Sequence, residues 1–417
     1  MKNKKISKFN IECPSENGIL IYNTFSSGVL SLNEEYSNEY SNLKKYGTCR
    51  KDLFNELCNG SMLIDKNTNE VSKINILSKS ERFSTNCLSL TIAPTLSCNF
   101  KCPYCYEKGV EMNSMTKEII HETIDFIKYR IDNNTKLGIA WYGGEPLLEI
   151  NTIEYITKKL FETLDSIEEN FEANIVTNGY LLSKEVALKL KNCKVKHAQI
   201  TLDGPPKIHD KRRILMNNKP TFNKIINNIK ECCNILDITI RINVDKTNIE
   251  YINDIVLILK ENDIYDKVNV YLAPVDDINS KSKNTDCFDT IEFANKESAF
   301  TKFKLQSELH NSIVPDCNLG ICGAVNLNSF VIAPDGRLYK CWDEIGRIES
   351  SVGNVSTGIT YNDTLDFYLN YDVLSEKCKD CSYLPTCMGG CPYKKKMLGE
   401  NQCFSLKYNI MDVLKRL

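Results

Sequence analysis

Between residues 88 and 273, short apolar runs of β type alternate with amphipathic segments whose apolar positions recur at helical spacing. Strands are predicted over 88–93, 138–141, 173–176, 197–202, 239–244 and 268–272. Helices with one apolar face are predicted between them, over 117–131, 153–164, 184–191, 222–233 and 249–262. Strict alternation of strand and helix implies an α/β fold with a parallel sheet and right-handed crossovers. Six such strands suit a partial (β/α)6 TIM-like barrel better than a flat sheet. Ligand chemistry is then expected at the C-terminal ends of the strands.

The flanks follow other patterns. In the N-terminal segment, β-like runs at 9–11 and 19–22 precede polar helical stretches near 34–45 and 50–59, and a short strand at 62–64 closes the unit. This small α+β module resembles the winged-helix peptide-recognition domains of peptide-modifying enzymes; the competing reading is a decoration that packs on the core. After the sixth strand come a polar loop, 276–289, a helical run to about Asn311 and a cysteine-rich tail. The expected division is 1–85, 86–312 and 313–417, with no internal repeat.

Composition narrows the function less than one residue type does. Among 417 residues, 52 Lys+Arg against 54 Asp+Glu leave a net charge of −2, with 42% hydrophobic and 25% charged residues. That is ordinary globular composition, which excludes a disordered chain and a polybasic nucleic-acid binder. The basic first residues are followed by no apolar stretch, and no long apolar run occurs, so neither a signal peptide nor a membrane span is expected and the expected location is the cytoplasm. The 19 cysteines are then too many for a disulfide framework in a reducing compartment and point to metal or redox chemistry. Cys13, Cys49, Cys58, Cys87, Cys193, Cys232, Cys233 and Cys287 are scattered and read as small apolar fillers. The others form a tight trio and a C-terminal set.

The trio is Cys98, Cys102 and Cys105, in the spacing C-x3-C-x2-C, just after the first predicted strand. Three thiolates on one loop can hold three irons of a 4Fe-4S cluster and leave the fourth iron open to a substrate. Zinc, the alternative, would want a fourth Cys or His close by. With Tyr104 before its last cysteine, the trio resembles the signature of the radical S-adenosylmethionine (SAM) superfamily. In that family the open iron chelates SAM, and one electron cleaves the sulfonium to a 5′-deoxyadenosyl radical. An external reductant such as flavodoxin or ferredoxin is implied.

Further matches stand at the ends of successive strands. Gly143-Gly144-Glu145-Pro146 resembles the motif that holds the SAM ammonium group. Thr177-Asn178 and Thr201 fall where the family binds ribose and carboxylate, and Leu272 ends the sixth strand as a further cofactor candidate. Arg213 matches a position that reaches the SAM carboxylate, with Arg212 as a rival, and Arg241 and Asn243 share one face of the fifth strand. Of the four histidines, all read as structural, His209 is the one expected nearest to SAM.

Cys317, Cys322, Cys341, Cys378, Cys381, Cys387, Cys391 and Cys403 make up two four-thiolate sets. They resemble the SPASM domain, which carries two auxiliary 4Fe-4S clusters. That resemblance assigns Cys317, Cys322, Cys341 and Cys391 to one cluster and Cys378, Cys381, Cys387 and Cys403 to the other, for three clusters in all. Without Cys317 the first would keep an open iron; zinc is again the alternative. The resemblance spans roughly residues 88–410.

The reaction expected is maturation of a ribosomally made precursor peptide, with a peptide carbon losing hydrogen and a peptide cysteine closing a thioether. The auxiliary clusters would take the remaining electron or hold the substrate thiolate. Carbon-carbon cross-linking and oxidation of Cys or Ser to formylglycine in sulfatases are the alternatives. In the sulfatase-maturing relatives an Asp directly follows the cysteine matched by Cys341, whereas here Trp342 occupies that place and Asp343 comes next. From another class, the chain could be an iron-sulfur electron carrier.

Overall fold

The computed structural model describes residues 3–132, 134–164, 167–278, 286–306 and 314–415. Parts of the expected 276–289 loop and 290–311 helical run, with His310, and the boundary at 312–313 lie outside the described residues.

The N-terminal elements are β1 (Lys4–Ile6), β2 (Asn10–Ser15), β3 (Gly18–Asn23), β4 (Val29–Asn33), α1 (Glu34–Tyr46), α2 (Lys51–Asn59), β5 (Leu63–Asp65) and α3 (Glu70–Arg82). β2, β3 and β4 form an antiparallel meander and β1 pairs with β5. Asn33 and Asn69 cap α1 and α3 by accepting from the third backbone N–H beyond them. Ile21, Tyr40, Leu53 and Leu57 pack between meander and helices.

The middle of the chain repeats strand and helix: β6 (Cys87–Thr95), α4 (Lys117–Arg130), β7 (Lys136–Gly143), α5 (Ile150–Thr163), β8 (Phe171–Thr177), α6 (Lys184–Asn192), β9 (Val195–Thr201), α7 (Pro206–Arg212), α8 (Phe222–Cys232), β10 (Asp237–Val244), α9 (Ile252–Glu261) and β11 (Val268–Pro274). The six strands pair in parallel in chain order, as the alternation predicts. Then come α10 (Thr290–Gln306), β12 (Ser329–Ile332), β13 (Leu338–Tyr339), β14 (Gly353–Asn354), β15 (Gly358–Ile359), α11 (Asp363–Leu369), α12 (Leu384–Cys387), α13 (Pro392–Leu398) and α14 (Leu406–Leu414). Among the described residues the main sheet has eight strands in the order β11-β10-β9-β8-β7-β6-β12-β13. β12 joins the outer side of β6 in parallel, so the tail contributes two strands to this sheet.

Packing groups the chain into two compact units. One comprises Met1–Phe83, Thr290–Cys322 and Asn370–Leu417; the other comprises Ser84–Asp289 and Gly323–Leu369. In the first, Ile11, Cys13, Leu20 and Tyr22 pack with Ile410 and Leu414 of α14. In the second, strand register sorts the side chains. Leu90, Ile139, Ile175, Ile200, Ile240 and Leu272 stand on one buried face. The opposite face carries Thr91, Ala140, Asn174, Gln199, Thr239 and Arg241. Parallel strands covered on both sides are ordinarily apolar throughout. This second face departs from that rule at Thr91, Asn174, Gln199, Thr239 and Arg241.

Candidate functional site

The cysteine trio lies on the loop after β6, and three neighbouring strand ends fix that loop. At its root, the N–H groups of Gly144 and Glu145 donate to the carbonyls of Thr95 (3.1 Å) and Ser97 (3.0 Å). Gly143 has φ +114°, and a Cβ there would lie 2.2 Å from the Thr95 carbonyl oxygen; a Cβ on Gly144 would lie 2.4 Å from that of Ser97. Two consecutive glycines are what let the end of β7 lie against the chain entering Cys98. On the far side the loop is stitched to residues after α7: Lys101 N–H donates to Ile214 (3.0 Å) and Met216 N–H to Asn99 (2.9 Å). The Asn178 amide, at the end of β8, donates to Asn99 Oδ1 at 2.7 Å.

Glu145 organises the β7–β8 junction from a fully buried position. Its Oε1 accepts from Thr177 Oγ1 (2.7 Å) and Leu147 N–H (3.1 Å), and its Oε2 accepts from Asn178 N–H (2.7 Å). Burial pushes its pKa up, against the pull of these donors. Thr177 is thus a strut for the carboxylate.

The structure separates the two adjacent arginines. Arg213 donates to Tyr104 Oη at 2.9 Å and lies with its guanidinium 5.6 Å from the Phe100 ring centre, both on the cysteine loop. Burial works against its charge, but Tyr104, Cys102 and Asp203 outweigh burial and hold its pKa well above the ordinary value. Tyr104 Oη in turn donates to Asp203. Arg212 is committed elsewhere, at 2.8 Å from Asp245 and 3.5 Å from Asp203, with its guanidinium 4.9 Å from the Tyr104 ring centre. Its side chain is 11% exposed and that of Asp245 3%, so this is a buried ion pair joining the ends of β9 and β10 to α7.

His209 is fully enclosed. Its Nδ1 accepts from Asp203 N–H (3.2 Å), its Nε2 meets Thr221 Oγ1 (3.1 Å), and burial drives its pKa well below the ordinary value. It is a neutral brace. His121 pairs with Tyr155 and His197 with Thr239.

The three thiols suit a cation-rich cofactor. Burial pushes Cys98 up to about 12 and Cys105 up to about 11, and raises Cys102, so a bound metal would have to supply the charge that makes them thiolates. Among the described residues no three Cys, His, Asp or Glu side chains are gathered as ligands of one ion. A cubane takes its cysteines on separate irons, so it asks for a loop carrying three thiols beside open space.

Residues 92–259 match the model of the radical SAM superfamily. The chain contains a radical SAM domain. A cysteine-type anaerobic sulfatase-maturating enzyme of Clostridium novyi (strain NT) is 29% identical over 363 residues, 74% of this chain and 89% of that one. A GTP 3′,8-cyclase of Campylobacter jejuni subsp. jejuni serotype O:2 is 30% identical over 166 residues, 39% of this chain and 48% of the relative. Among solved structures, native anSMEcpe with bound AdoMet superposes with a TM-score of 0.63 at 18% identity, covering 79% of this chain and 96% of that one. Streptococcus suis SuiB bound to precursor peptide SuiA gives 0.52 at 16%, covering 93% and 95%. At these identities the structures establish the fold, the partial TIM barrel of radical SAM proteins.

Within the radical SAM domain, Thr201 ends β9 on the face that carries Arg241, and Arg241 Nε donates to Asn243 Oδ1 at 2.8 Å. Leu272 is set apart from them: it pairs with Ile242 on the apolar face, and Ala273 is the residue in register with Asn243. The sequence alone singles out neither Asp203, which directly follows the predicted 197–202 strand, nor Asp245. Asp245 has no local signal.

Of the C-terminal cysteines, Cys378, Cys381, Cys387 and Cys403 line one cavity of about 330 Å³ inside the first unit, with Tyr383 and Lys407. Lys407 Nζ stands 3.6 Å from Cys403 Sγ. Cys317, Cys322 and Cys391 belong to the same unit, whereas Cys341 belongs to the second, its Sγ 3.7 Å from Asp343 Oδ2. Among the described residues no helix is long and apolar enough to cross a membrane.

Proposed function

We propose that this chain is a radical SAM maturase that forms thioether cross-links in a ribosomally made precursor peptide. In this reading Cys98, Cys102 and Cys105 hold the SAM-binding 4Fe-4S cluster and the C-terminal cysteines hold auxiliary clusters, one of them on Cys378, Cys381, Cys387 and Cys403. When bound, the cluster and SAM supply a 5′-deoxyadenosyl radical. The observation that carries the reading is the clamped cysteine loop: three thiols fixed by Arg213–Tyr104–Asp203 on one side and by Gly143, Gly144 and Glu145 on the other.

The chain's own residues hold and orient. Arg213 keeps a positive charge beside the thiols, and Glu145, with the Asn178 N–H on Oε2, presents a fixed carboxylate at the end of β7. The polar sheet face with Gln199, Thr201 and Arg241 offers hydrogen-bonding groups to a bound ligand. A peptide substrate is supported by likeness to SuiB, solved with its precursor peptide, and by likeness to a sulfatase-maturating enzyme. The N-terminal β1–β5/α1–α3 module would hold a leader segment and raise the effective concentration of the tethered core.

The similarity to the Clostridium novyi enzyme over 89% of its length favours a second reading, oxidation of a protein Cys to formylglycine. One assay separates the two. Anaerobically reconstituted enzyme is incubated with SAM, dithionite and a panel of synthetic cysteine-containing peptides. The expected product has lost a pair of hydrogens for each cross-link and resists thiol alkylation at the joined cysteine. A product in which sulfur is replaced by a hydrazide-reactive aldehyde would establish the second reading instead. Deoxyadenosine with unmodified peptide would refute both for that substrate.

A further inference from the structure

Trp342 stands beside the clamped cysteine loop and takes no part in the clamp. The chain has 2 tryptophans, and Trp141 is fully buried in β7, whereas Trp342 is 50% exposed. Trp342 is nevertheless held in place. Its ring stacks on Tyr142, centres 5.8 Å apart and planes 21° from parallel. Tyr142 Oη is hydrogen-bonded to Tyr106 Oη, which also donates to Glu107 Oε1 at 3.2 Å. Tyr106 directly follows Cys105 and Tyr142 directly precedes Gly143, so the stack is built from the two segments that flank the cysteine trio and the glycine pair.

The turn that carries Trp342 is also pinned. Val110, from the cysteine loop, packs with Ala93, Leu96, Tyr339 and Ile345, and a Cβ on Gly346 would lie 2.4 Å from Val110 Cγ1. All of these residues belong to one compact unit. The result is a half-exposed indole stacked on Tyr142. A large apolar ring held still at low entropic cost is a contact surface for a partner side chain or peptide plane.

We propose that Trp342 is a substrate-positioning residue: its exposed surface packs on the peptide next to the residue being modified and so selects which carbon lies within reach of the radical. This inference rests on the peptide-maturase reading. Wild-type holoenzyme is titrated with fluorescein-labelled synthetic cysteine-containing peptides, with binding read by anisotropy and indole access by acrylamide quenching. Trp141 is out of the quencher's reach, so the accessible emission belongs to Trp342. Saturating unlabelled peptide is expected to cut the accessible fraction at least two-fold. In turnover, W342A is expected to lower modified peptide per deoxyadenosine about ten-fold and raise the peptide KM, with W342F restoring most of both. Peptide that binds without shielding the indole, or a W342A enzyme as well coupled as wild type, would overturn the proposal. Absence of peptide binding to wild type would instead bring down the peptide reading, and this inference with it.

Discussion

Alanine at Cys98, Cys102 and Cys105 together is expected to abolish deoxyadenosine formation from SAM and to lower iron by about four atoms per chain, while secondary structure persists. The separation of these effects follows from how the loop is held. Its shape comes mainly from backbone bonds at Asn99, Lys101 and Ser97 and from Phe100 and Tyr104 under the arginines, with a bond from Phe100 N–H to Cys98 Sγ (3.4 Å) as a minor part that the variant would lose. The thiols are donors that burial keeps protonated until a metal arrives, so deleting them removes the metal and spares the clamp. Serine at any one of the three should do nearly as much damage, because a hard hydroxyl is a poor ligand for iron in a sulfide cluster. Alanine at Cys87, an exposed and scattered cysteine, is the control and should change neither readout. Radical formation that survives in the triple variant would assign the chemistry to another cysteine set.

Arg212→Met is expected to be the most destabilising single change near the site. It leaves the Asp245 carboxylate, 3% exposed, without its cation, while Asp203 keeps Tyr104 and the nearby Arg213, and breaking a buried pair by removing one partner costs about 3–5 kcal/mol. Thermal melting of the purified variant reads the loss directly. The pH dependence gives a second signature. Burial alone would raise the Asp245 pKa, but the Thr247 hydroxyl and Arg212 hold it below the usual carboxylate range. The folded value is depressed, so this stabilisation is complete above the unfolded pKa of about 3.9 and is lost as pH falls through the lower folded value. Arg212→Met should therefore flatten the acid limb of stability against pH, whereas Arg213→Met, which breaks no such ion pair, should leave that limb in place.

The parallel strands were legible because each buries one full apolar face, and Ile238, Ile240 and Ile242 or Leu137, Ile139 and Trp141 announce a two-residue period without help from the rest of the chain. β4 was missed because Leu32 is its one buried position, too weak an alternation to read. α3 was missed for a related reason: beside Ile74 its buried positions are Ser78 and Arg82, and Arg82 is satisfied by the distant Tyr371 carbonyl. The Ser329–Ile332 run is apolar enough to suggest a strand, yet its place beside β6 is a long-range pairing that no local pattern encodes. At the site, the order of motifs was readable while the division of labour was not. Arg212 and Arg213 are chemically identical neighbours, and only the positions of Asp245 and Tyr104 tell the brace from the group beside the thiols. Register also decides which face a strand-end residue presents, and one step separates Leu272, paired with Ile242, from Ala273, paired with Asn243.

In the proposed function, Cys98, Cys102 and Cys105 leave one iron of the cluster open for SAM. Electron-nuclear double resonance on the dithionite-reduced enzyme, with SAM labelled by nitrogen-15 at its amino group and oxygen-17 at its carboxylate, tests it at the atom concerned. Hyperfine coupling to both labels is the predicted result, and it should vanish in the Cys98/Cys102/Cys105 alanine variant. A reduced cluster in the wild-type protein that couples to neither label, with SAM bound, would contradict the account.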